Sequence, residues 1–208
     1  MAEVLASYTG QALTRPAYCP ASGTITLSTQ AEVDEFSSTY GSCDTTLYGL
    51  TIEGSGITQV DALSSLTSIK GDLELYAPDL SDIDGLSNLV AIEGTLRIGD
   101  GSEGTSLINL DALSNLRTLG GLQLNSNALL EDIDGLSGIT SIAGDVLIGS
   151  DRFGGSYGNA RLTQLDGLSN VTSIGGNFYI TYNPALTDLN GFVTLESVEG
   201  NFYLYRND

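Results

Sequence analysis

The chain has 208 residues, 26 aspartates and glutamates against 7 lysines and arginines, and a formal net charge of −19. Such a charge repels nucleic acid phosphates and anionic lipid headgroups and so argues against both as partners; with no run of 18 apolar residues there is also no membrane insertion to expect. Histidine is absent, which excludes Ser-His-Asp and Cys-His catalysis and histidine-ligated metal sites.

Residues 1–18 carry no strong period, and Arg15-Pro16 breaks any helix there, so they read as an arm or leader. No cationic stretch followed by an apolar one occurs in them. A signal peptide is therefore either absent or already removed, and removal suits a secreted protein. The acidity, with Lys70 as the one lysine, suits a salty extracellular medium that screens surface repulsion. Cys19 and Cys43 are the two cysteines. In a secreted chain they read as one disulfide, closing a loop of roughly 25 residues and contributing about 3–4 kcal/mol in the chain-entropy model. In a cytosolic chain they would be free buried thiols. Between them, Thr24 to Leu27 alternates like a short strand. Ser28 to Phe36 then offers an N-cap hydroxyl, acids in the first turns, and Val33 and Phe36 three apart. This spacing predicts one short amphipathic helix that covers the first repeat, within an N-terminal cap spanning 19–49.

From residue 50 onward one phrase recurs, Asp-(Ala/Gly)-Leu-Ser-x-(Leu/Ile/Val)-x-x-(Ile/Leu)-x-Gly, starting at Asp61, Asp84, Asp111, Asp134, Asp166 and, degraded, Asn190. Repeats of this length mark a stacked architecture in which neighbouring units complete one another's core. In the second unit Leu80, Ile83, Leu86, Leu89, Ile92, Leu96 and Ile98 step by three, then four, then two. Steps of three suit corners around a flattened core, and the step of two is a strand. Glycines 71, 94, 121, 144, 176 and 200 are expected to supply a turn before each strand. The predicted fold is mostly all-β: a right-handed parallel β-helix, or solenoid, of about 23-residue coils with an N-terminal capping helix, forming one domain over 19–208. Its strands are expected at 50–52, 73–75, 96–98, 122–124, 146–148, 178–180 and 202–204.

The strand phrases Leu122-Gln-Leu-Asn-Ser-Asn127 and Phe178-Tyr-Ile-Thr-Tyr-Asn183 are similar to leucine-rich repeats, but the rest of the coil lacks a repeat helix. Asp166-Gly-Leu-Ser-Asn-Val-Thr-Ser-Ile-Gly-Gly-Asn-Phe-Tyr-Ile180 more closely resembles the receptor L-domain, a leucine-rich-repeat-like β-helix of receptor ectodomains, fungal wall proteins and bacterial surface proteins. Cys19-Pro20, a capping helix and Cys43 also look like the opening of such domains. The resemblance covers Cys19 to Asp208 and implies a fold and a cell-surface setting. These domains bind unrelated ligands, so it implies no particular one.

The repeat anchors are spaced by 23, 27, 23, 32 and 24 residues. The two long spacings place insertions at residues 99–106 and 149–161, both between a strand and the next apolar corner. Equivalent insertions emerge on one edge, roughly 10 Å apart if coils stack at the usual strand spacing. On that edge Asp151, Arg152, Phe153, Tyr157 and Arg161 are candidate ligand-binding residues, with drift of tolerant surface loops as the alternative. Asp100, Ser102 and Glu103 could offer oxygens to calcium, but they lack the ordered spacing of a calcium loop, and no metal or cofactor is assigned.

Strand alternation predicts an outward column of Thr51, Glu74, Arg97, Gln123, Leu147, Tyr179 and Tyr203. A second holds Glu53, Tyr76, Gly99, Asn125, Gly149, Thr181 and Tyr205. Glu74 beside Arg97 reads as an ordinary surface ion pair. Leu147, Tyr179, Tyr203 and Tyr205 would form an exposed aromatic patch, the second candidate ligand site, where sugars stack or a protein docks. The alternative is the preference of tyrosine for strands. The recurring aspartates read as Asx-type turns whose carboxylates accept backbone N–H groups.

These features favour a secreted or cell-surface recognition or adhesion module, binding a protein or glycan without catalysis. A structural reading is the main alternative: a filament, stalk or layer unit that self-associates through the C-terminal edge at Phe202 to Asp208, unless the native chain continues past it. A polysaccharide-active β-helix enzyme is a remote third, because no carboxylate pair stands out among the 26 acids.

Overall fold

The computed structural model describes residues 22–41, 46–100, 104–150 and 158–207. Cys19, Cys43 and the arm at 1–18 lie outside the described residues, and with them the expected disulfide. In chain order the elements begin with β1 (Ile25–Leu27), α1 (Gln30–Asp34), α2 (Phe36–Tyr40), β2 (Thr46–Leu47), β3 (Leu50–Glu53), β4 (Ser68–Ile69) and β5 (Leu73–Tyr76). The long strands β6 (Ala91–Ile98) and β7 (Thr118–Asn125) follow, then β8 (Ser141–Ile142), β9 (Val146–Gly149) and β10 (Ser173–Ile174). The last are β11 (Phe178–Thr181), β12 (Ser197–Val198) and β13 (Phe202–Tyr205).

Among the described residues these thirteen strands join one sheet, and every pairing is parallel. Two ladders run through it. One joins β1, β3, β5, β6, β7, β9, β11 and β13; the other joins β2, β4, β6, β7, β8, β10 and β12. β6 and β7 are long enough to serve both ladders. Strand β1 is thus a further rung on the predicted ladder, its Ile25 and Leu27 opposite Leu50 and Ile52. The repeated phrase folds as a 3-10 turn at Asp61–Leu63, Asp84–Leu86, Asp111–Leu113, Asp134–Leu136, Asp166–Leu168 and Asn190–Phe192.

In-register pairing turns the spacing of apolar residues into columns. Leu50, Leu73, Leu96, Leu122, Val146 and Phe178 stand in one inward column, and Ile52, Leu75, Ile98, Leu124, Ile148 and Ile180 in the next. All twelve are fully buried, in one continuous cluster that runs from Ile25 to Leu186. Each such side chain stabilises by roughly 1.5–3 kcal/mol relative to exposure.

The cap differs in detail from the single predicted helix. Thr29 is the N-cap, and Thr29 and Glu32 form a reciprocal capping box, but Glu35, at ψ 1°, divides the segment into α1 and α2. The bend lets the cap bond to the first repeat at two places. Gln30 Oε1 accepts the Thr58 N–H at 2.9 Å, and Ser37 Oγ donates to the Ala62 carbonyl at 3.1 Å. Val33 and Phe36 are buried as expected.

The glycines expected at turns are required for another reason. Gly94 and Gly121 lie inside β6 and β7, and none of the six has a positive φ. What excludes a side chain is the neighbouring repeat: a Cβ on Gly71 would lie 2.1 Å from the Tyr48 carbonyl oxygen. The Ala/Gly choice after each anchor aspartate has the same origin. A Cβ on Gly85, Gly135 or Gly167 would come within 1.9 Å of the carbonyl of Val60, Leu110 or Ile133. Ala62 instead faces the capping helices. Ala112 falls at a looser step: Glu131, Thr163 and Thr187 each donate a backbone bond to the preceding repeat, but among the described residues Ile108, at the equivalent place, does not.

The anchor aspartates do not accept backbone N–H groups among the described residues, which corrects the Asx-turn reading. The acceptor sits two positions earlier. Gln59, Asp82, Asn109, Asp132 and Asp188 each receive the N–H of the first residue of their 3-10 turn.

An asparagine ladder, buried except at its last member and not singled out by the repeat phrase, closes each later strand. Asn127, Asn159, Asn183 and Asn207 donate their side-chain amides to the carbonyls of Ile98, Leu124, Ile148 and Ile180. The carboxamide oxygens of Asn159, Asn183 and Asn207 accept the backbone N–H of the asparagine one repeat before. To place those asparagines the chain turns through a left-handed residue at Ser126, Tyr182 and Arg206 (φ 63°, 57° and 53°).

Candidate functional site

The outward columns form as predicted: Thr51, Glu74, Arg97, Gln123, Leu147, Tyr179 and Tyr203 are successive partners. Their chemistry divides the face in two. Toward the N-terminus it is a polar network rather than a simple ion pair. Arg97 Nη1 bonds Asp72 and lies 3.2 Å from Glu74 Oε1, while Thr51 and Tyr76 donate to the two Glu74 oxygens at 2.8 and 3.3 Å. Asp72 lies outside the strand, so strand alternation alone did not point to it. Burial pushes the Asp72 carboxyl up, but the Thr95 amide and Arg97 outweigh it and hold the group below its ordinary value. Burial and the neighbouring Glu74 push the Tyr76 phenol up to about 12.

Toward the C-terminus the face is aromatic. Leu147, Tyr179, Tyr203 and Tyr205, the four residues expected there, converge on one concavity of about 280 Å³, which Ser150, Thr181 and Tyr182 complete. Tyr179 and Tyr203 meet edge to face at 6.3 Å between ring centroids, as do Tyr182 and Tyr205 at 5.6 Å. Such pairs hold the rings at fixed tilts and contribute about 0.5–1.5 kcal/mol each beyond area burial. Arg206 lies over the rings of Tyr182 and Tyr205, at 5.5 and 5.3 Å. Its charge is thereby engaged by the aromatic wall. Tyr182 and Arg206 hold equivalent places in adjacent repeats, each just before a ladder asparagine, so the Tyr-Asn and Arg-Asn dipeptides were the signal for them.

In the second outward column Glu53 pairs with Tyr76, Asn125 with Gly149 and Thr181 with Tyr205, as predicted, but the column is not open along its length. Asn125 and Thr181 are buried. At Thr181 the cause is Ser150, whose N–H donates to Thr181 Oγ1 at 3.0 Å while that hydroxyl donates to the Ser150 carbonyl at 2.6 Å. Asn125 Oδ1 and Ser65 Oγ are buried without a hydrogen-bond partner among the described residues.

Both insertions occupy the same station. The first leaves through Gly99 and returns through Gly104; the second leaves through Gly149 and returns through Gly158. Gly99 and Gly149 have φ of 78° and 126°, which favours glycine. A Cβ on any of the four would strike a carbonyl of the next repeat, that of Asn125, Ser126, Thr181 or Tyr182. Asp151, Arg152, Phe153 and Tyr157 lie outside the described residues. Arg161 sits beyond the ladder residue Asn159 and pairs at 3.5 Å with Glu131, both of them well exposed. Ser102 and Glu103, weighed for calcium with Asp100, also lie outside. No group of three metal-binding side chains occurs among the described residues.

No helix among the described residues is long and apolar enough to cross a membrane. No family model matches the chain, and neither a curated protein nor a solved structure was found similar to it.

Proposed function

We propose that the chain is a secreted or cell-surface recognition or adhesion module, built on a right-handed parallel β-solenoid of the receptor L-domain kind, and that it acts without catalysis. One observation carries this reading: Leu147, Tyr179, Tyr203 and Tyr205, chosen from alternation alone, line a single concavity. Solvent-facing aromatics grouped around a recess are the usual chemistry of recognition surfaces, since each ring offers a large apolar face and a polar tip. The parallel in-register ladders and the recurring 3-10 turns support the solenoid.

The test is retention on immobilised extracellular glycans and glycoproteins. The folded chain is expected to be retained, and Tyr179→Ala and Tyr203→Ala to abolish retention. Equal retention of both variants would remove the sheet face from the account.

A second reading, assembly through the end of the stack, has its own observation. Phe202 and Leu204 stand in the inward columns opposite Phe178 and Ile180, yet are 53% and 44% exposed, and Val193, at the end of the last 3-10 turn, is 74% exposed. Exposed apolar columns on the last described strand favour contact with a further strand, whether of a following repeat or of a second copy. Light scattering separates the two: a concentration-dependent rise in mass abolished by Leu204→Lys supports assembly, and a constant monomer mass rejects it.

A further inference from the structure

At the outer edge of β13 we propose a strand-acceptor site for another protein. It takes one extended segment, parallel to β13, that carries two apolar residues separated by one, an asparagine three further on and a leucine three beyond that. The edge is the one invoked by the second reading above, but the occupant is a different chain, so the two can be tested apart. Among the described residues β13 pairs with β11 alone.

The first argument is what each earlier strand receives from the next. Leu122, Val146 and Phe178 give their N–H to the carbonyls of Asp145, Asn177 and Asn201 at 2.9, 2.8 and 2.7 Å. Asn159, Asn183 and Asn207 each reach back one repeat, the amide donating to Leu124, Ile148 or Ile180 and the oxygen accepting the N–H of the preceding ladder asparagine. The equivalent groups around β13 are the Phe202 N–H, the Leu204 carbonyl and the Asn207 N–H, and none of the three finds a partner among the described residues. One carboxamide answers two of them at once. Ionised aspartate offers no donor, and leucine offers neither group. The ladder's other end is closed within the chain: Thr105 gives both its N–H and its hydroxyl to Asn127 Oδ1, each at 3.0 Å.

The apolar columns set the rest of the pattern. Phe202 and Leu204 continue columns whose earlier members are fully buried, yet both stand open to solvent. Beside them a concavity of about 350 Å³ lies between Leu186, Leu189, Leu204 and Asn207. Leu130, Leu162 and Leu186 each follow their ladder asparagine by three residues and give their N–H to its carbonyl. A leucine at that place in the incoming segment therefore falls at this concavity, in line with Leu186. Main-chain bonds supply the affinity of such strand addition, and the alternate side chains its specificity.

A second copy of the chain meets these demands poorly. Its β13 keeps its apolar side inward against this edge only by running antiparallel, which carries its asparagine away from the Leu204 carbonyl. Its β1 has Ile25 and Leu27 already buried at the capped end, and the carboxamide three residues on, Gln30, is held by Asp34, Thr58 and Gln59.

The probe is a synthetic peptide of residues 166–189 of this chain, one full coil carrying Phe178, Ile180, Asn183 and Leu186, labelled at its N-terminus and titrated with the full chain by fluorescence anisotropy. Saturable binding is expected, with slowed hydrogen exchange at the Phe202 and Asn207 amides. Asn183→Leu in the peptide should weaken binding about tenfold, because two polar groups lose their partner. Leu204→Lys in the protein should abolish binding, with unchanged circular dichroism showing that the variant is folded. No binding, equal binding of the Asn183→Leu peptide, or unaltered exchange at those two amides overturns the proposal. Light scattering separates it from assembly of copies. Peptide binding by a chain of constant monomer mass supports the proposal and rejects assembly; a rise in mass stopped by Leu204→Lys, without peptide binding, removes the proposal and leaves assembly standing. If the mass stays constant and no peptide binds, both fail.

Discussion

Asn183 holds Asn159 by two bonds: its Oδ1 accepts the Asn159 backbone N–H at 3.3 Å and the Asn159 side-chain amide at 3.0 Å. Asn159 in turn receives the Asn127 N–H and donates to the Leu124 carbonyl. It is fully buried, so replacing it strands groups that water cannot reach. Asn159→Leu should destabilise the protein by about 2–4 kcal/mol, since an unmet buried polar group costs about 1–3 kcal/mol and more than one is left. A urea denaturation midpoint that does not move would show that the ladder contributes nothing.

The close approach of repeats at their 3-10 turns predicts opposite sensitivities at one repeat position. Gly135→Ala puts a methyl 1.8 Å from the Leu110 carbonyl oxygen and should cost about 1–3 kcal/mol through forced backbone shifts. Ala112→Gly relieves no clash and should lower stability by less than about 1 kcal/mol, from chain entropy. Thermal melts of the two variants compare them directly, and equal losses would contradict the stacking argument.

Tyr76 and Asp72 give the fold a pH dependence at both ends. The Tyr76 phenol is raised to about 12 in the folded protein, so the folded state keeps its proton longer than the unfolded chain. Its stabilising share is complete below about pH 10 and is lost as pH rises toward 12. Asp72 is held below its ordinary value, so its share is present above the ordinary carboxylate range and is lost as pH falls through the folded pKa. Tyr76→Phe should reduce the alkaline loss at a neutral-pH cost of about 1 kcal/mol for the bond to Glu74. Denaturation midpoints across the alkaline range check it; an unchanged alkaline limb would disprove the assignment.

Asp134 is raised by burial and then by Asp132, Asp166 and Asp111. A raised carboxyl destabilises the folded state when ionised, and this destabilisation is relieved as pH falls through the folded pKa. Asp134→Asn should therefore stabilise at neutral pH and low salt, by less than about 1 kcal/mol for so exposed a group. Added salt should erase the gain. A variant that melts lower than the parent at low salt would contradict this.

Much of this architecture was legible because strand alternation and a fixed repeat are enough to assign columns. Glu74, Arg97, Leu147, Tyr179 and Tyr203 fell where alternation put them, and so did Val33 and Phe36 in the cap. What the sequence did not reveal depends on contacts between repeats. Nothing local distinguishes Ala112 from Gly135, because the difference is the distance to a carbonyl in another repeat. The asparagine ladder was hidden because the second insertion displaces Asn159 far from its strand, breaking the spacing that Asn127, Asn183 and Asn207 keep. Burial of Thr181 follows from the path of Ser150 after Gly149, which alternation cannot supply. Asp72 was missed because it reaches Arg97 from before the strand.

All of these sites depend on the pairing register, for a slip of one residue would send the outward tyrosines into the core. The most direct measurement is the pattern of interstrand amide to Hα nuclear Overhauser effects around Tyr179. In-register parallel pairing predicts contacts linking Tyr179 to the strand positions around Leu147 on one side and Tyr203 on the other. Contacts displaced by one residue, or an antiparallel pattern, would contradict the fold and dissolve the aromatic site with it.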